Sequence, residues 1–210
     1  MKKIFLSLII FVLTYTCSTY KIENKSNRYF DDKNVEINKV EFKKKLSSLE
    51  YLGIEGDSIN HRRLIKRENY GEISNKKVLL KLLKETVNSE LDSTKPIVII
   101  YYPGKDKCNS TGGFTSKLWV ENWRHDLENG INQIAQVKPL YIYKTPEGLE
   151  KHKNIIKWYE DPENTIEKLF FKHHYPCGSF VVISKNGDYI SYLGEYPKEY
   201  VWAATKLMNK

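Results

Sequence analysis

From Asn75 onward the spacing of apolar positions is regular enough to read as discrete elements. "NKKVLLKLLKETVNSEL" puts Val78, Leu79, Leu82, Leu83 and Val87 at helical spacing, with Asn75 as N-cap. After Lys95-Pro96, the run Ile97 to Tyr102 has no charged break and predicts a central strand buried on both faces. A loop with Cys108 follows. "TSKLWVENWRHDLENGINQIAQ" then predicts a long helix with Leu118, Trp119, Trp123, Leu127, Ile131 and Ile134 along one side. Residues 137–145 predict a second strand, and residues 146–174 one or two helices broken at Pro162. "SFVVIS", the turn Lys185-Asn186-Gly187 and "DYISYLG" predict a β-hairpin. "PKEYVWAATKLM" closes the chain as a helix with Pro197 in its first turn.

Upstream the pattern is weaker. Residues 34–75 form an extension in which "VEFKKKLSSLEYLGI" predicts a short amphipathic helix with Val40, Phe42, Leu46, Leu49 and Leu52 as its apolar side. "DSINHRRLIKRENYGEIS" reads as turn, short strand, turn. His61 and the arginines beside it read as surface residues, as does His125 on the long helix. Residues 18–33 are polar and aperiodic, as a tether is. Residues 1–17, "MKKIFLSLIIFVLTYTC", combine a basic start with an apolar stretch from Ile4 to Leu13, too short for a membrane span of about 20 residues. That is a secretory signal. Cys17 falls where the apolar stretch ends and resembles the lipid-modified cysteine of a bacterial lipoprotein, although Thr14 and Thr16 stand where Leu and a small residue are usual.

Composition adds class and compartment. In 210 residues, 40% are hydrophobic and 13% aromatic, which predicts a folded domain and excludes a disordered chain. The net charge of +8 comes from 34 basic and 26 acidic residues that are interspersed. A solvated lysine-rich surface explains it, and nucleic acid is not expected as a partner. With the signal removed, Cys108 and Cys177 remain, an even pair and a disulfide candidate in an oxidising compartment.

The order strand, cysteine loop, helix, strand, helix, hairpin, helix resembles the thioredoxin-like fold over roughly residues 76 to 209. Cys108 stands where that family keeps its nucleophile, and "SFVVISKNGDYISYLGEY" resembles its apolar strand, turn and partner strand ending in glycine. The resemblance implies an α/β, three-layer sandwich with a mixed sheet, over residues 76–210. The departures are specific. Thr111 occupies the position of the resolving cysteine, Lys107 precedes Cys108 where the family has Trp, and the cis-proline slot falls near Ser179, with Pro176 three residues earlier.

The resemblance also brings the Cys108 loop and the loop "HHYPCGS" to one edge of the sheet, so Cys108 and Cys177 are expected to pair. The site residues it implies are Cys108, Thr111 and Cys177. Two readings of the pair stand. In one, Cys108 attacks a protein disulfide and Cys177 resolves the mixed intermediate, with protein thiols or disulfides as partners. In the other, the bond is structural and the domain is a non-catalytic binding module. A third arrangement would use His173, His174, Cys177 and Cys108 as soft ligands for copper or zinc. "IIYYPGKD" is similar to the approach of peroxiredoxins, but Lys105 stands where their threonine would be. Asp161, Glu163 and Glu167 read as a helix start. With no Gly-rich phosphate loop and no Ser/His/Asp arrangement, no cofactor is implied. The expected location is the bacterial cell envelope, facing the periplasm or surface, with the membrane reached through lipid on Cys17.

Overall fold

The computed structural model describes residues 27–105, 116–150 and 154–210. The expected signal, Cys17, and the loop bearing Cys108 and Thr111 lie outside these residues. Among the described residues the fold is mixed α/β, with two mixed sheets. No helix there is long and apolar enough to cross a membrane.

The N-terminal part builds a small sheet from β1 (Arg28–Phe30), β2 (Glu36–Ile37), β3 (Tyr51–Glu55) and β4 (His61–Lys66), in the order β2-β1-β4-β3, with α1 (Lys39–Ser47) between β2 and β3. This corrects two expectations. Strand β1 lies inside the stretch read as a tether. Its three residues are too few for a visible alternation, and its pairing with β4 makes it a strand. The helix expected to reach Leu52 stops at Ser47, because Leu49 adopts a left-handed φ of 65° and turns the chain into β3. The apolar residues then divide: Phe42 is buried from α1, Leu52 from β3, and Val40 stays 78% exposed. Phe42 rests on Gly53, where an added Cβ would sit 3.4 Å from its ring. Opposite that face, Leu52 and Ile65 join the main core.

Arg67 then leads into β5 (Glu68–Glu72), so the region read as one short strand holds two. Strand β5 crosses to the main sheet and pairs antiparallel with β10 (Asp188–Tyr192), Gly71 opposite Tyr189. A Cβ at Gly71 would lie 2.6 Å from the Tyr189 hydroxyl, so glycine allows that pairing. Residues 34–75 are therefore an integral part of the fold.

Helix α2 (Lys76–Val87) starts where expected, with the Asn75 side chain accepting from Val78 N–H. The main sheet contains β6 (Ile97–Tyr102), β7 (Leu140–Tyr143), β8 (Trp158–Glu160) and β9 (Ser179–Ile183) in the order β5-β10-β9-β6-β7-β8. Strands β6, β7 and β8 are parallel, while β9 and β10 are antiparallel to their neighbours. The unbroken apolar run of β6 has a direct cause. Ile97, Ile99 and Tyr101 enter one core with α2 and α4 (Thr165–Phe170); Val98 and Ile100 enter another with α3 (Lys117–Ala135) and α5 (Lys198–Met208). Helices cover both faces, which is why both sides of the strand are apolar.

Three local readings need correction. Residues 158–160, expected as helix, form the edge strand β8 beside β7. The buried stripe of α3 runs through Val120, Leu127, Ile131 and Ala135, leaving Leu118 and Trp119 exposed. Pro197 is the N-cap of α5, one position before its first turn. The hairpin forms as expected, with Gly187 at φ 107°.

Candidate functional site

At the C-terminal end of β6, Tyr101 pairs with Ser179, the first residue of β9. The chain leaves β6 there toward Cys108 and returns through Cys177, two residues before Ser179. Ser179 is buried, and its Oγ accepts from Gly194 N–H at 3.0 Å, tying the start of β9 to the end of β10. Gly194 has φ 86°, and a Cβ there would meet the Tyr175 ring at 2.7 Å. Glycine thus lets the Tyr175 ring approach the backbone at Gly194.

Cys177 itself is half-buried. Its Sγ donates to Glu195 Oε1 at 3.2 Å. The Glu195 carbonyl accepts from Arg67 Nη1 at 3.0 Å, and the Arg67 guanidinium lies 5.8 Å from the Tyr175 ring centre and 5.9 Å from that of Tyr192. A thiol, a carboxylate, a guanidinium and a phenol therefore converge from three separate segments. Burial pushes the Tyr175 phenol up, with Cys177 and Glu195 adding to the shift and Arg67 opposing it. Glu195 thus faces the thiol as a hydrogen-bond acceptor, and Arg67 fixes the backbone that carries Glu195. Neither residue was singled out by the sequence. Arg67 stands 128 residues before Glu195 in the sequence, and no local pattern announces that contact.

Beneath this end of the sheet, Tyr101 stacks on Phe171, ring centres 4.8 Å apart, and its buried hydroxyl has no hydrogen-bond partner among the described residues. Burial, with Glu167 and Asp161 nearby, drives its pKa strongly upward, so it stays a neutral phenol. Asp161 accepts from the N–H groups of Ile166 and Glu167 at 2.9 and 3.0 Å, which confirms it at the helix start. Lys144 and Glu167 form an ion pair at 2.8 Å beside it.

Cys108 and Thr111 lie outside the described residues, so only Cys177 of the expected trio is described. Among the described residues, no group of three or more His, Cys, Asp and Glu side chains is placed to hold a metal ion. Burial first, and then the nearby charges of Arg63 and Lys172, lower the pKa of His173. That positive setting suits an anion better than a metal ion. His61 packs on Phe30, ring centres 4.9 Å apart, and His125 sits on α3 beside Asp126 and Asn129. Comparison with protein-family models, curated proteins and solved structures returns no match.

Proposed function

We propose that this chain is an exported thioredoxin-like protein that exchanges disulfides with protein partners through Cys108 and Cys177. The succession β6, α3, β7, α4, β9-β10, α5, with β6 and β7 parallel and the hairpin antiparallel, supports the fold reading. One observation carries the chemistry: Cys177 donates to Glu195 at the sheet end from which the chain runs to Cys108. The Cys108 thiolate attacks one sulfur of a partner disulfide, the S–S bond breaks, and the other partner sulfur leaves as a thiolate that takes a proton. Glu195 takes the proton from Cys177, whose thiolate then attacks the Cys108 sulfur of the mixed disulfide and releases the second partner thiol. The two electrons pass from the Cys108–Cys177 pair to the partner. A second dithiol protein returns the new Cys108–Cys177 disulfide to thiols. The same proposal holds Cys17 to be lipid-bearing, and mass spectrometry of the mature N-terminus from membrane fractions tests that part.

The chemistry is tested by dithiothreitol-driven reduction of a protein disulfide with wild type, Cys108→Ser and Cys177→Ser. Cys108→Ser is expected to be inactive, and Cys177→Ser, mixed with the disulfide substrate without dithiothreitol, to accumulate a mixed disulfide on Cys108. Glu195→Gln keeps a hydrogen-bond acceptor but not a base, and should slow resolution by up to about 10²-fold. An active Cys108→Ser protein overturns the reading. A reduction potential near about −200 mV supports exchange, whereas one below about −300 mV assigns the pair to a structural disulfide in a binding module.

A further inference from the structure

A cleft of about 400 Å³ opens between the small sheet and the outer strands of the main sheet. One wall is β4, with Arg63 and Lys66; another is β5 and β10, with Tyr189; the third is the end of α4, with Phe170, Lys172 and His173. The apolar floor is set by Phe170 and Tyr189, which pack edge to face at 4.9 Å. Asp32 is the one carboxylate among the lining residues, against three permanent cations.

Arg63 is the unusual member. The other arginines of the small-sheet strands are matched to carboxylates: Arg28 to Glu36, and Arg62 to Glu55 at 3.2 Å. Arg63 follows Arg62 directly, and strand alternation turns it to the opposite face, toward the main core. Among the described residues it forms no ion pair with a carboxylate, and its Nε is buried with no acceptor. A buried donor left unsatisfied is costly, more so on a charged group. Lys66 and Lys172 likewise form no ion pair among the described residues.

We propose that this cleft binds a small organic anion, a carboxylate or phosphate monoester with an aromatic or aliphatic body. Arg63 presents a planar fork suited to either head group, with Lys172 adding charge. The body of the ligand lies on Phe170 and Tyr189. His173, held toward its neutral form by burial and by the adjacent cations, adds a polar contact without further charge. The cations line an indentation of ligand size and do not form a stripe along the surface, which favours a small molecule over a polyanion. The inference does not rest on the thiol chemistry.

The test is calorimetric titration of the full chain at low ionic strength with phenyl phosphate, inorganic phosphate and phenol. Phenyl phosphate should bind, inorganic phosphate should bind about tenfold more weakly, and phenol should not bind, since head and body each contribute. Arg63→Gln should weaken phenyl phosphate by about tenfold or more, and Lys172→Gln by less. Because Arg63→Gln removes an unsatisfied charge, its melting temperature should hold or rise. If that variant fails to fold, Arg63→Lys takes its place, with about a tenfold loss again expected because an ammonium lacks the planar fork. Equal affinity of wild type and variant, equal affinity for inorganic and phenyl phosphate, or no binding at concentrations on the order of 10 mM overturns the proposal.

Discussion

Gly130 lies in the middle of α3, where glycine costs about 1 kcal/mol of helix stability relative to alanine. Replacement by alanine would ordinarily stabilise the protein. Here the Trp202 indole of α5 lies against the glycine backbone, and an added Cβ would overlap the ring, with Cζ2 only 2.8 Å away. Trp202 is not free to step aside. Its Nε1 donates to Leu127 O at 3.1 Å, and Lys198 lies over its ring while bonded to Asp126 at 2.6 Å. Overpacking costs about 1–3 kcal/mol, and a strained indole hydrogen bond about 1 kcal/mol more. Against a propensity gain of about 1 kcal/mol, Gly130→Ala should therefore destabilise by roughly 1–3 kcal/mol. Urea unfolding followed by far-ultraviolet circular dichroism measures this, and each kcal/mol lowers the melting temperature by about 2–4 °C. In a Trp202→Ala background the steric cost disappears, and the same substitution should stabilise by up to about 1 kcal/mol. A stabilising effect in both backgrounds, or a destabilising one in both, refutes the packing argument.

Two further outcomes concern the buried polar groups beneath the thiol site. Tyr101→Phe removes a buried hydroxyl without a partner among the described residues and should be neutral or stabilising by up to about 1 kcal/mol in the same unfolding assay; a loss larger than that contradicts the structure around Tyr101. Asp161 is held above the ordinary carboxylate range, chiefly by burial, despite the two N–H groups it caps. Its contribution to stability is therefore full below the unfolded carboxylate value of about 4 and is lost as pH rises through its raised value. Relative to Asp161→Asn, wild type should lose stability as pH climbs from about 4, and a difference curve of opposite slope would refute that assignment.

The elements legible from the chain alone are those whose signal is local. Asn75 caps α2 through a hydrogen bond three residues on, Gly187 supplies the positive φ of the hairpin turn, and the apolar run of β6 meets a core on each face. The position of Cys177 just ahead of a central strand was legible for the same reason. Strands β1 and β8, three residues each, were not, because a short strand exists only through its partner. The stripe of α3 was misassigned because Leu118, Trp119 and Val120 are all apolar, and which of them faces the core depends on how α5 docks. The surroundings of the candidate site belong wholly to the tertiary structure. Arg67, Tyr175, Cys177 and Glu195 meet because β5 joins the sheet beside β10, and Arg63 forms no ion pair among the described residues because the small sheet turns it inward. Period and propensity act over a few residues, whereas charge pairing and burial are set by segments that the chain brings together only on folding.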